Sequence, residues 1–280
     1  MSYKTILAYL NASRRTPEVT RAAAAVARQF GSHIIGLSIV PRVPPPPATY
    51  ADAAGQIVAM QKRALDEEGQ RVEDAFRRTL EGSDLKSEWR QVKEPRGLIE
   101  TIVCEHARAA DLVVVGQPDN SDDIYPPGDV GEVVMMECGR PVLVVPRKGS
   151  FEEIGRAIAL AYDGSREAAR AAFDALPLLA GAREVHVVTF DTLKGRNQDR
   201  VIPGAEIATT LTRHGVNCKV ANPMAVRSGI ADDLMAYAGA QSLDLVVMGG
   251  YGHARWSEIV FGGATRDMFS VMSVPVLMSH

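Results

Sequence analysis

DLVVMGGYGHARWSEIVFGGATRD, residues 244–267, opens with an aspartate and an apolar run ending in glycine, and closes with small residues that begin a helix-like pattern. DLVVVGQPDNSDDIYPPGDVGEVV, residues 111–134, has the same beginning and a different interior. Residues 111–116 align with 244–249 at an offset of 133, RPVLVVP (140–146) with VPVLMSH (274–280) at 134, and TILAYLNAS (5–13) with AIALAYDGS (157–165) at 152. The chain is therefore duplicated over nearly its full length. The larger offset at the start means that the first copy carries extra residues between its first and fourth strands.

Working outward from the repeat, each copy alternates strand and helix. In the second, strands are expected at residues 157–161, 184–190, 217–221, 243–248 and 274–278. Helices are expected at 165–180, with Ser165 as cap, at 206–214, at 228–240 and from about Gly263. The first copy repeats the order with strands near 5–10, 33–40, 87–92, 112–115 and 142–145. Short Val-rich runs between helical segments are typical of parallel strands buried on both faces. The expected fold is α/β: two tandem, doubly wound, five-stranded parallel-sheet sandwiches, one over residues 1–147 and one over 154–280. RKGSFEEIG (147–155) is the expected linker. The additional length of the first copy contains Pro41 and Pro44–Pro47, followed by one long amphipathic helix. A stiff crossover loop is preferred here over a docking site for a proline-reading partner.

Bulk properties narrow the function. The 280 residues, 46% hydrophobic and 23% charged, suit two globular domains, and no run is long enough to span a membrane. A net charge of −3 argues against a protein that coats nucleic acid or anionic lipid. Cys104, Cys138 and Cys218 match no CxxC spacing, and the opening MSYKTILAYLNAS lacks the pattern of a signal peptide, so a cytoplasmic location is expected.

Ligands of doubly wound sheets bind beyond the carboxyl ends of the strands, where strand order reverses. In the second copy those ends carry Asp163, Phe190 and Gly249. After Gly249 come two residues, Gly252, nine residues, then Gly262, Gly263, Ala264 and Thr265 opening a helix. Glycines allow close backbone approach to a phosphate, and the free amides of a helix N-terminus donate to it. Asp163 is placed to accept from a ribose hydroxyl or a base. The arrangement is a phosphate cradle without a dedicated lysine.

With AYDGS, the G-x-x-G-x9-G block and the terminal PVL strand in place, the sequence resembles the universal stress protein family in its tandem form. The resemblance covers both copies. It implies an adenine nucleotide alpha-hydrolase-like sandwich, and members with this glycine block commonly bind ATP or AMP, with Mg²⁺ as a candidate companion. Carried over by position, Ala161 and Asp163 lie near adenine and ribose, Val188 near the base, and Met248 and Gly249 along the nucleotide. Gly252, Gly262, Gly263 and Ala264 then surround the phosphates. Where the family usually has Ser or Thr after the last glycine of the block, this chain has Gly263, which removes one hydroxyl donor worth about 0.5–1.5 kcal/mol. Thr265 is the candidate to replace it, or else a capping hydroxyl. Single-domain members pair through their last strands, so residues 142–145 and 276–278 are expected to pair within this chain as an intramolecular pseudo-dimer, with further homodimerisation left open.

The first copy departs further. Asn11 stands for the aspartate, GQPD for G-x-x-G, and Gly128, Asp129, Val130 at the phosphate position. Asp129 would repel phosphate, and Asp119, Asp122 and Asp123 add to that. This copy is expected to be a degenerate, structural or regulatory one. Its acidic loop lacks EF-hand spacing and is taken as solvated rather than metal-binding. The histidines show no ligand spacing, and His253, inside the glycine block, is taken as an exposed loop residue. Arg255 and Arg266 are phosphate contacts or surface charge. No nucleophile elbow and no phosphate loop with lysine are present. The leading function is a nucleotide sensor or regulator in a stress response, acting on an unidentified protein partner. The alternatives are an interaction protein with a decayed site and an enzyme capable only of slow ATP hydrolysis.

Overall fold

The computed structural model describes residues 2–44, 53–93, 98–118, 130–190, 204–223, 229–250 and 263–280. The first half runs β1 (Thr5–Tyr9), α1 (Thr16–Phe30), β2 (His33–Val40), α2 (Ala54–Leu80), β3 (Ser87–Lys93), α3 (Ile99–Ala107), β4 (Leu112–Gly116), α4 (Val130–Glu137), β5 (Val142–Val145). The second runs β6 (Ala157–Ala161), α5 (Arg166–Asp174), α6 (Leu176–Gly181), β7 (Glu184–Val188), α7 (Ala205–Arg213), β8 (Cys218–Ala221), α8 (Ile230–Ala240), β9 (Leu245–Gly249), α9 (Gly263–Val271), β10 (Val276–Ser279).

All strands join one ten-stranded sheet in the order β3-β2-β1-β4-β5-β10-β9-β6-β7-β8. Pairing is parallel within each half. At the centre β5 and β10 run antiparallel, with Val276 opposite Val144, Leu277 opposite Leu143 and Met278 opposite Val142. The expected internal pairing of the last strands is thus present, and it covers two edges that would otherwise template further pairing. Strand order reverses between β1 and β4 and again between β6 and β9.

Each face of the sheet carries one apolar core that continues through both halves. One gathers Ile6, Ala22–Ala27, Phe76, Leu160, Leu178, Leu211 and Leu277, under α1, α2 and α5–α7. The other gathers Leu7, Val103, Met135, Val188, Leu234, Met248, Met268 and Phe269, under α3, α4, α8 and α9. The alanine run of α1 is buried throughout, and such small side chains bring a helix close to the strands beneath it.

The joint between the halves is pinned rather than slack. Ile154 is fully buried, Gln29 Nε2 donates to its carbonyl at 2.7 Å, and Tyr3 hydroxyl donates to the Asp174 carbonyl at 2.7 Å. The Tyr3 hydroxyl is pushed well above its usual pKa by burial and by Asp174 and Asp111.

Two sequence expectations change. The single helix expected at 165–180 is broken at Ala175, because Pro177 lacks the amide and crowds the carbonyl four residues earlier. The strand expected at 184–190 ends as a strand at Val188, although Thr189 still donates from its amide to the Ala221 carbonyl at 3.0 Å. The long helix of the first half is α2, and only its C-terminal part packs, with Leu65, Glu68, Gly69, Val72, Ala75, Phe76 and Leu80 buried. The start expected at Ser228 for the following helix lies outside the described residues, as do Pro45–Pro47.

Candidate functional site

The crevice of the second half opens beyond the carboxyl ends of β7, β6 and β9, which lie side by side. Ala161 pairs with Val188, and Leu160 pairs with Val247, so Ala161, Val188 and Met248 end at one level. Val188 and Met248 are buried in the core shared with α8 and α9, and Ala161 is half-buried against it. Together they close the carboxyl ends of these strands with apolar side chains.

Chain direction at the mouth is set by a tight turn. Gly164 takes a φ of +78°, Asp163 Oδ1 accepts from the Ser165 amide at 2.9 Å, and Ser165 Oγ accepts from the Ala168 amide at 3.1 Å. Ser165 therefore caps α5 as the sequence indicated. Asp163 itself is exposed at the crevice.

Gly249 has a structural use of its own. A Cβ there would lie 2.6 Å from both the Ala168 nitrogen and the Glu167 carbonyl carbon, so the start of α5 crosses β9 at backbone contact. The missing side chain of Gly249 is thereby accounted for by helix packing. Sequence reasoning also missed Glu167, buried beside Gly249 and ion-paired with the exposed Arg166. Burial opposes its charge, but Arg166, its own backbone amide and His280 together outweigh burial and hold the carboxyl below its usual range. Among the described residues, this turn and the first turn of α5 carry the carboxylates of Asp163 and Glu167 and the guanidinium of Arg166.

Gly263 and Ala264 open α9, and Thr265 on its first turn is 2% exposed. Arg266 is exposed. Gly252, His253, Arg255 and Gly262 lie outside the described residues, as do Asp119, Asp122, Asp123, Gly128 and Asp129 of the first half.

The first half differs at the corresponding place. Its turn after β1 is covered: Leu10 and Ala12 are buried, where Tyr162 is half-buried and Gly164 exposed. The Ser13 amide, equivalent to that of Ser165, donates at 2.7 Å to Glu68 Oε1, brought in by α2. Glu68 also holds Arg71, whose Nε lies 2.8 Å from Oε2. Burial opposes the Glu68 charge, while the Ser13 and Arg71 hydrogen bonds more than offset it and hold its pKa low. Arg15 spans the end of β5, donating at 2.8 Å to the carbonyls of both Pro146 and Arg147.

The aspartate that opens each repeat also acquires a role. Asp111 Oδ2 accepts from the Lys4 and Thr5 amides at 2.7 and 2.9 Å. Asp244 accepts from the Gly155, Arg156 and Ala157 amides at 3.0–3.1 Å. Each pins the start of its neighbouring first strand, and only the recurrence of DLVV hinted at it. Among the described residues no three His, Cys, Asp or Glu side chains group to hold a metal, and the three cysteines are free. No helix among them is long and apolar enough to cross a membrane.

A duplicated, doubly wound parallel sheet with two strand-order reversals defines a class of α/β sandwich proteins. Within that class, the model of the universal stress protein family matches residues 2–146, and the chain belongs to that family. A universal stress protein of Synechocystis sp. is 29% identical over 178 residues, 60% of this chain and 57% of that protein, so the match spans little more than half of the relative. A universal stress protein from Archaeoglobus fulgidus superposes with a TM-score of 0.65 at 15% identity, covering 98% of this chain and 95% of the other. A functionally unknown protein from Pseudomonas aeruginosa gives 0.56 at 14% identity, covering 99% and 92%. At such identities the likeness is one of fold.

Proposed function

We propose that the second half binds an adenine nucleotide, ATP or AMP, and that the chain serves as a nucleotide-responsive regulator in a stress response. One observation carries the reading. The two halves share strand order, yet the turn after β1 is buried with its Ser13 amide bonded to Glu68, whereas Asp163 stands exposed at the corresponding turn of the second half.

In this reading the base lies on Ala161, Val188 and Met248, and Asp163 accepts from the ribose. The phosphates meet Gly252, Gly262, Gly263 and Ala264 at the start of α9, where helix amides favour negative charge. Arg166 offsets Glu167 at the mouth, so the crevice does not present two unmatched carboxylates to an anion. Thr265, being buried, is assigned to the packing of α9 rather than to phosphate. When Mg²⁺ accompanies ATP it screens phosphate charge. The residues bind and orient, and none is assigned a chemical step.

Calorimetric titration of ATP, ADP and AMP, with and without Mg²⁺, tests this. Saturable binding near one per chain, lost in both Asp163→Ala and Gly252→Asp, is expected. Absence of heat and of thermal stabilisation at millimolar nucleotide would overturn the reading and leave an interaction protein.

A further inference from the structure

Gly250 is not one of the glycines that a G-x-x-G phosphate pattern requires, since that pattern uses Gly249 and Gly252. It is nevertheless buried, and a Cβ on it would stand 2.6 Å from Met135 Sδ and 3.1 Å from Met135 Cε. Met135 belongs to α4 of the first half and is 1% exposed. A helix of one half therefore occupies the space of a side chain at the point where the chain of the other half leaves β9.

The same residue is held from two other sides. The Gly250 amide donates to the Ser279 carbonyl at 2.9 Å, and His280 Nδ1 donates to the Gly250 carbonyl at 3.1 Å. The contact also has a mate across the β5–β10 seam. Gln117 stands at the position equivalent to Gly250, and Phe269 at that equivalent to Met135. Gln117 Nε2 donates to the Phe269 carbonyl, while its Oε1 accepts from the Arg147 amide at 2.7 Å. In each half the residue after the glycine-terminated strand meets the last helix of the other half. One side makes the contact with a long polar side chain, the other by having none.

We propose that Met135 is a positioning residue for the nucleotide site of the second half, fixing the backbone at Gly250 and hence the direction in which the chain leaves β9. This rests on the nucleotide reading above. It makes the site composite: the first half binds no nucleotide in that reading but supplies the wall against which Gly250, just past the end of β9, is set. Close contact of packed groups with few alternative arrangements is the physical basis on which such a wall transmits a displacement.

The test combines Met135→Ala, Met135→Leu and Gly250→Ala, the last alone and together with Met135→Ala. Each is titrated with AMP and ATP, and amide exchange is followed at Gly249 and Gly250 alongside the thermal midpoint. Met135→Ala is expected to weaken nucleotide binding by about 2- to 30-fold and to speed exchange at Gly250, with Met135→Leu restoring most of both. Gly250→Ala should be harmful alone and largely tolerated with Met135→Ala, the signature of a direct contact in a double-mutant cycle. Unchanged affinity in Met135→Ala, even with a lowered thermal midpoint, marks the residue as packing alone and overturns the proposal. Should Met135→Ala fail to fold, Gly250→Ala presses on the same contact and decides by the same readouts. A wild-type protein that binds no nucleotide brings down the proposed function instead, and exchange at Gly250 with the paired variants then decides whether Met135 holds it.

Discussion

The turn after β1 and the turn after β6 begin from matching sequences, LNAS and YDGS, and end in opposite states. In the first, the Ser13 amide reaches 55 positions along the chain to the buried Glu68 of α2. In the second, the Ser165 amide is satisfied two residues away by Asp163, and the turn stays at the surface. Both solutions give the amide a carboxylate acceptor. A local acceptor leaves the turn exposed, whereas an acceptor imported on a helix covers it. Asn11 has no carboxylate to offer the Ser13 amide, and Glu68 provides it.

The sharpest way to break this comparison is at the strand ends. Gly249→Ala forces a Cβ against backbone at 2.6 Å, while Gly116→Ala meets Val19 at an ordinary 3.4 Å. Urea unfolding should show a loss near the top of the overpacking range, roughly 3 kcal/mol, for the first and well under half of that for the second. Equal losses would mean that α5 is no more tightly seated on β9 than α1 is on β4.

Glu68→Gln comes next, exchanging a charge-assisted acceptor for a neutral one, with an expected cost of about 1 to 1.5 kcal/mol at neutral pH. Its pKa is lower in the folded state than in the unfolded chain, so the unfolded chain binds the proton first on acidification. The contribution is complete above the ordinary carboxyl range and is lost as pH falls through the folded value. Wild type and Glu68→Gln should therefore converge in stability at acid pH. Asp163→Asn, at the exposed turn, should leave unfolding nearly unchanged and act on nucleotide affinity instead.

A smaller effect separates β7 from β2. His186, 1% exposed, places Nδ1 2.8 Å from the Tyr237 hydroxyl and Nε2 3.3 Å from Glu184. Glu184 is held down at about 2 by Lys219, Arg183 and His186. The corresponding place in β2 holds the apolar Ile35. Burial lowers the His186 pKa despite Glu184, so the unfolded chain takes up the proton first. Stability owed to neutral His186 is present above the unfolded value and declines as pH drops below it. His186→Leu should flatten the thermal midpoint between pH 7.5 and 5.5, and a profile identical to wild type would remove His186 as the cause.

The strands and their parallel arrangement were legible because short Val-rich runs alternate with helical segments and recur in both copies, whereas the seam followed only from the family resemblance. The Ser165 cap and the start of α9 at Gly263 followed from local chemistry. The break at Ala175 was available in Pro177 but was outweighed by the alanine-rich pattern around it. Glu68, Glu167, Met135 and Gly250 were not legible, since each matters through a contact that the fold creates between distant segments. Of the candidate site, Asp163 and Gly249 were read from the strand ends, while Ala161, Val188 and Met248 came only from the family resemblance. The packing use of Gly249 was hidden by a residue type that serves phosphates and close helices alike.

The antiparallel seam at Leu143 and Leu277 also has a genetic consequence. In a dimer of identical chains every substitution is made twice, once on each side of the axis, and the partners separate on dilution. Joined in one chain, the sides mutate singly and meet at any concentration. A lineage with this arrangement can spend one copy on scaffolding and keep the other for a ligand, a division of labour that an exact twofold forbids.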